Sequence, residues 1–308
     1  MKRKVTVFGS FVVDLMARTP LLPIPGATVK GSSFKMGPGG KGFNQGVAAH
    51  KAGADMTMIT KMGRDVFADT ALDLMTQLNM NKDCLFFSES EATGIALIGV
   101  DENTSQNEII VVPGACATFT KEEVAQVEPV IADSSYVLLQ LEVNQDANEY
   151  VAQLAKEHGA KVILNPAPYQ KVSDEFLSKI FLVTPNENEA EEMTGVPVTD
   201  LASASRAAKV FYDKGVENVL ITLGSRGVFV SSEGREEIIP AFRVDAVDTT
   251  GAGDAFNGGL LTALAEGKSL WDAAVFGNAL AALSVQKMGT SPAMPTRQEI
   301  DDFLRQQI

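Results

Sequence analysis

Cysteine and histidine are scarce in this 308-residue chain, two of each. Cys84 and Cys116 form no C-x-x-C pair and have no histidine close by in sequence, which excludes a disulfide framework and argues against a zinc site. The expected compartment is the reducing cytoplasm. Long apolar runs are missing too. No segment approaches the roughly 18 apolar residues of a spanning helix, and Met1–Ser10 offers only Val5–Phe8 before Asp14, too little for a signal peptide. Positive charge is short as well: 26 Lys and Arg face 39 Asp and Glu, a net −13. A chain that coats nucleic acid or an anionic membrane needs a basic face, so neither partner is expected. Any phosphate ligand must be held locally, by backbone amides and a few cations. Repeats, low-complexity tracts and Ser/Pro-rich linkers are also absent.

Hydrophobic residues make up 45% of the chain, and a chain this long can bury about three quarters of its unfolded surface. The second half alternates apolar runs (Tyr136–Leu141, Lys161–Leu164, Ile180–Thr184, Asn218–Leu223) with helix-length segments such as Asp146–His158 and Ala202–Lys214. That rhythm predicts βαβ crossovers and a parallel sheet covered on both faces. Ala252–Ala265 and Leu270–Val285 read as further helices. The first half opens with a strand, Val5–Phe8, runs through Pro20, Pro23 and Pro25 into a strand at Val29–Phe34, and reaches its first helix at Asn44–Ala52. Thr93–Val100 and Glu108–Val112, joined by the polar stretch 101–107, read as a hairpin. Segments 15–36 and 93–112 are therefore expected to form a small accessory sheet, a lid inserted into a single domain spanning 1–308.

The most informative segment is Asp248-Thr249-Thr250-Gly251-Ala252-Gly253-Asp254, where the strand-like Phe242–Val247 meets the helix from Ala252. Small residues at such a junction leave backbone N–H groups open to an anion, and the helix dipole adds partial positive charge. Asp254 falls in the first turn beside that hole, where a carboxylate can take a proton from a hydroxyl while amides stabilise the group it attacks. The plainer alternative is a glycine-rich loop whose aspartates cap a helix. A second segment, Met36–Gln45, formally satisfies G-x-G-x-x-G at Gly37, Gly39 and Gly42. As a dinucleotide fingerprint it is poorly placed, because its strand is not the first and Lys61 stands where an acidic ribose ligand belongs. It is not a Walker loop either, since Gly42 follows Lys41. What remains is flexible backbone presenting Lys41 and Asn44, suited to a polyhydroxylated ligand.

Seven ordered motifs carry a resemblance over essentially the whole chain: Gly9-Ser10 with Asp14, Gly39–Gln45, Gln140-Leu141-Glu142, Asn165–Pro168, Thr184–Glu189, Thr222–Gly227 and the string ending at Asp254. Together they resemble the ribokinase branch of the PfkB family of sugar and nucleoside kinases. The resemblance implies a three-layer α/β/α fold with a mostly parallel sheet and a β-sheet lid. It implies an ATP-dependent, magnesium-requiring transfer to the primary hydroxyl of a pentose, with ribose first. Asp254 would be the base, and Gly251, Ala252 and Gly253 the anion hole. Asp14, Gly40, Lys41, Asn44 and Glu142 would hold the sugar. Asn186 and Glu189 would organise the magnesium–phosphate region. Thr222, Gly224, Ser225, Arg226 and Gly227 would line the nucleotide phosphates, with Asn278 near adenine. A potassium ion would sit at Asp248 and Thr250 with Ser284, Lys287 and Gly289, mostly through backbone, and two copies would pair through the lid.

Two positions depart from that pattern. Val12 stands where such enzymes often carry Asn, which makes a 2-deoxyribose or other pentose kinase the alternative substrate reading. Ala293 replaces a frequent Ser among the cation ligands, leaving backbone carbonyls and Asp248 to that task. Readings from other classes are an NAD(P)-dependent dehydrogenase built on Gly37–Gly42 and a sugar-binding regulator without turnover. His50, His158, Trp271 and Met56, Met58 and Met62 are expected to be structural, and of the acidic run from Glu187 to Glu192 only Glu189 has a functional claim.

Overall fold

Short β-branched and leucine-rich runs, apolar on both faces, build the centre of the molecule. The computed structural model describes residues 3–104 and 106–307. Met1, Lys2, Ile308 and Ser105, the last within the expected hairpin turn, lie outside the described residues. The strands in chain order are β1 Val5–Phe8, β2 Val12–Thr19, β3 Ser33–Gly39, β4 Met56–Gly63, β5 Leu85–Ser88, β6 Thr93–Asp101 and β7 Asn107–Gly114. They continue with β8 Tyr136–Gln140, β9 Lys161–Asn165, β10 Leu182–Val183, β11 Asn218–Thr222, β12 Val228–Ser232 and β13 Arg235–Ile239. The large sheet runs β13-β12-β11-β10-β9-β8-β1-β4-β5. Its pairings are parallel except β11 with β12 and β12 with β13.

The period of two along each strand sorts side chains into separate apolar layers. On β8, Leu138 joins the layer with Val5, Val7 and the helices Lys41–Lys51, Ala252–Ala265 and Leu270–Ser284. Its neighbours Val137 and Leu139 join the other, with Phe8 and the helices Gln145–Glu157 and Leu201–Asp213. This is the expected α/β/α sandwich.

The second sheet, β3-β2-β6-β7, stands apart from the first. β2 pairs antiparallel with β3 (Val12 opposite Gly39) and parallel with β6. Here the expected bounds shift. Val29 lies in an irregular connection, and the strand assigned to Val29–Phe34 is found at Ser33–Gly39. β2 was not anticipated, because Asp14 and Arg18 interrupt its apolar character. Phe242–Val247, read as a strand, is irregular: with Pro240 closing β13, the backbone N–H groups of Val247 and Asp248 bond to the Val285 carbonyl rather than to a sheet. The first helix begins at Lys41, three residues early, because Gly40 takes the N-cap with a φ of 88° that only glycine adopts freely.

Helix Ala252–Ala265 packs against Lys41–Lys51 at a glycine. A Cβ at Gly258 would lie 2.5 Å from Ala48 Cβ and 2.7 Å from the Gln45 carbonyl. Gly258→Ala must push these helices apart, and urea unfolding should show it less stable by about 1–3 kcal/mol. An unchanged midpoint would mean that the helices are not held at this distance.

Candidate functional site

In a parallel sheet the strand ends and the following helix starts converge on one edge. Five of the seven motifs fall there: Gly9-Ser10 after β1, Glu142 after β8, Asn165 ending β9, Asn186 after β10 and Thr222 ending β11. Helix Ala252–Ala265 points its start into the same edge, with Gly251 capping it at a φ of 76°. Ala255 N–H is the first to bond within the helix, to the Gly251 carbonyl, and Ala252 N–H closes onto Thr249. The N–H groups of Gly253 and Asp254 therefore have no intrahelical partner and face the cleft with the positive end of the dipole.

Asp254 is 8% exposed. Asn44 Nδ2 donates to one carboxylate oxygen and Gln45 Nε2 to the other, each at 3.0 Å. Burial pushes the Asp254 carboxyl up from its ordinary value; Lys41 and the two amides pull it back without cancelling the rise. Burial likewise opposes the Lys41 charge, but Asp254, Glu142 and Glu189 together raise its affinity for the proton. Glu142 accepts from the Lys41 backbone N–H at 2.8 Å and from Ser10 Oγ at 2.5 Å. Asp14 completes the group from β2, its carboxyl raised from 3.8 to about 6 by burial and by the charges of Glu142 and Asp254. The lid hinge is tight here: a Cβ on Gly39 would meet Asp14 at 2.2 Å, and one on Gly42 would meet the Gly9–Ser10 backbone at 2.6 Å.

A chamber of about 190 Å³ contains Lys41, Asp254, Glu189 and Thr184. It shares Thr222, Ala252 and Gly253 as a wall with one of about 370 Å³, which reaches Gly224, Gly227 and Asn278. A third, of about 390 Å³, continues past Ser225, Phe242 and Val285. The cleft thus runs from the buried carboxylate to an apolar end. Arg226 is not on its walls: the guanidinium pairs with Glu187 and the Thr199 carbonyl. Asn186 and Glu189 close a reciprocal helix cap, each side chain bonded to the other's backbone N–H at 2.8 and 2.9 Å.

Asp248 lies on a neighbouring loop. Burial raises its carboxyl, but hydrogen bonds from the Gly289 and Thr250 N–H groups, each at 3.0 Å, win and hold it below its ordinary value. Lys287 pairs with Glu299 and Ser284 Oγ bonds back to Ala281, so both offer only their backbone to this loop. Among the described residues no three His, Cys, Asp or Glu side chains converge as a metal cage.

The family model for the pfkB family carbohydrate kinases matches residues 2–297. A ribokinase from Haemophilus influenzae is 46% identical over 304 residues, 99% of each chain. A deoxyribokinase from Salmonella typhi is 34% identical over 301 residues, 97% of this chain and 98% of its own. A solved ribokinase from Arabidopsis thaliana, complexed with ribose and ATP, superposes with a TM-score of 0.92 at 28% identity over 99% of each chain.

The chain belongs to the pfkB family of carbohydrate kinases.

As a phosphotransferase of that family it is not a dehydrogenase. Gly37–Gly42 forms the lid hinge rather than a dinucleotide turn, and Lys61 is buried against Glu123. His50 bonds the Leu78 carbonyl and His158 pairs with Glu128, both away from the cleft. Sequence reading gave no role to Gln45, Asn165, Asn257 or Ser291, all of which bond into the site. Gln45 and Asn165 sat inside quoted motifs; Ser291 carried no signal, because its partner Asn44 is 247 residues distant.

The raised Asp14 value means that the folded chain holds this proton more tightly than the unfolded chain. Its contribution to stability is complete below pH 3.8 and is lost as pH rises through about 6. The ¹³C carboxyl resonance of Asp14, assigned through Asp14→Asn, should titrate near 6, and Glu142→Gln should lower that midpoint. An ordinary aspartate midpoint would refute the shared-charge account.

Proposed function

We propose that this pfkB-family enzyme transfers the γ-phosphoryl group of ATP to the primary 5-hydroxyl of a pentose, with D-ribose first. One observation carries the reading: Asp254, buried at a helix start with open amides, lines a polar chamber whose Ala252–Gly253 wall is shared with a cleft that runs to an apolar end. The similarity to ribokinases supports ribose.

Asp254 accepts the hydroxyl proton as that oxygen attacks the γ-phosphorus and the bond to the ADP oxygen breaks. A carboxyl raised from its ordinary value by burial suits the task, since a base that holds its proton more tightly is the better acceptor. Lys41 and the open amides of Gly253 and Asp254 stabilise the charge that spreads over the phosphoryl oxygens; Ala252, expected in that role, has its N–H on the Thr249 carbonyl. Asp14, Glu142, Asn44, Lys41 and the Gly40 backbone orient the sugar. Thr222, Gly224, Ser225 and Gly227 flank the phosphates and Asn278 the base; Arg226 has no part in this, since its guanidinium is paired with Glu187.

Magnesium fits the donor set. It commonly takes one or two carboxylates and completes its shell with water and phosphate, and Glu189 is the carboxylate that lines the polar chamber beside Asp254. When bound, the ion neutralises phosphate charge. Potassium fits the loop at Asp248, whose carboxylate oxygens each accept one N–H and retain further acceptor capacity. Thr250, Ser284, Lys287 and Gly289 would add backbone carbonyls. A homodimer through the lid and a cytoplasmic location complete the reading; the exposed Phe34, Ile109 and Ile110 on β3 and β7 support the first, and no helix among the described residues is long and apolar enough to cross a membrane.

Val12 is the observation that favours 2-deoxyribose: it is buried in the layer holding Ala96 and Cys116 and offers no amide to a hydroxyl. A coupled assay with ribose, 2-deoxyribose and a hexose, with and without potassium, should give the highest kcat/KM for ribose. A preference for 2-deoxyribose would install the second reading. Asp254→Asn should lower kcat by about 10²-fold or more with sugar and ATP binding nearly intact. Retained turnover would remove Asp254 from its role.

A further inference from the structure

We infer that Gln45 is a positioning residue for Asp254, its side-chain amide orienting the base and keeping it ionised through a relay anchored at Gln140. The inference rests on the reading of Asp254 as the base. Gln45 is fully buried. Its Nε2 donates to Asp254 Oδ1 at 3.0 Å and to Asn165 Oδ1 at 2.9 Å, which uses both hydrogens. Its Oε1 accepts from Gln140 Nε2 at 2.7 Å, so a flipped amide would set its oxygen against two acceptors and its nitrogen against the Gln140 donor.

The far end of the relay carries a cost that supports its direction. Gln140 Oε1 is buried with no hydrogen-bond partner, and a Cβ at Gly9 would lie 2.0 Å from it. A buried, unmatched carbonyl is unfavourable. Turning the Gln140 amide over would face that oxygen toward Gln45 Oε1 and release the Gln45 amide from its orientation. The fold therefore keeps one orphaned acceptor at Gln140 and obtains a donor aimed at Asp254. Asn165 is fixed in turn by its Nδ2, which donates to the Thr184 carbonyl at 3.1 Å.

Asn44 holds the other carboxylate oxygen, and Ser291 Oγ donates to Asn44 Oδ1 at 2.6 Å, which settles that amide the same way. The charged and titratable groups facing Asp254 are Lys41, Glu142, Asp14 and Glu189. Deleting the Gln45 donor leaves one oxygen of a buried carboxylate unmatched, which favours its protonated form.

The test is the pH profile of kcat for Gln45→Met, a near-isosteric change that keeps the packing volume. On the acidic limb of the profile its kcat should fall about 10-fold below the parent, the scale of one lost charge-assisted hydrogen bond. The deficit should shrink as pH rises, with KM for sugar and ATP little changed. Gln140→Met should move the acidic limb in the same direction by less, and thermal melting of both variants checks folding. A uniform loss at every pH, or an unmoved limb while Asp254→Asn is inactive, would overturn the positioning role. Full turnover by Asp254→Asn would instead overturn the base assignment beneath it.

Discussion

A carboxylate taken out of water must be matched by donors or it takes up a proton. Asp254 is buried, and much of the site can be read as the answer to that demand. Its two oxygens are met by Asn44 and Gln45, consecutive residues on another helix. They can reach because Gly258 lets the two helices approach closely. Lys41, one turn earlier on that helix, supplies the balancing charge. One segment, Gly39–Gln45, thus serves as lid hinge, helix start and support for the carboxylate, which explains its three glycines.

Net acidity and anion binding are compatible in this arrangement because they concern different places. A charge of −13 is a property of the whole chain. The positive field at the cleft comes from open amides at one helix start and one half-buried lysine, and it acts at short range. Glu142 and Glu189 do not defeat it: Glu142 accepts from the Lys41 backbone and Ser10, and Glu189 from the Asn186 backbone.

The alternating second half was legible because strands buried on both faces write continuous apolar runs; β8, β9 and β11 fall within one residue of expectation. The lid was harder. Its strands are exposed on one side and carry Asp14, Arg18, Lys35 and Glu108, so periodicity placed β3 a few residues early and gave no sign of β2. At the site, residues inside glycine-rich strings were visible, since glycine has few other reasons to cluster. Ser291 and Asn257 were not, because an ordinary polar residue acquires meaning only from its partner across the fold. Arg226 shows the converse: a motif position whose side chain turns outward to Glu187.

The lid joins the site through covalent continuity as well as contact. β3 ends at Gly39, one residue before the N-cap of the helix bearing Lys41, Asn44 and Gln45, and β2 carries Asp14 opposite Gly37. Thr290 Oγ1 holds the Pro38 carbonyl at 3.2 Å, while its neighbours Gly289 and Ser291 hold Asp248 and Asn44. Three consecutive residues therefore tie the lid hinge, the Asp248 loop and the amide on the buried carboxylate together. The segment that joins β3 to the helix is thereby held by the same three residues that hold the amide on Asp254, so the position of the small sheet and the alignment of the carboxylate rest on one set of bonds.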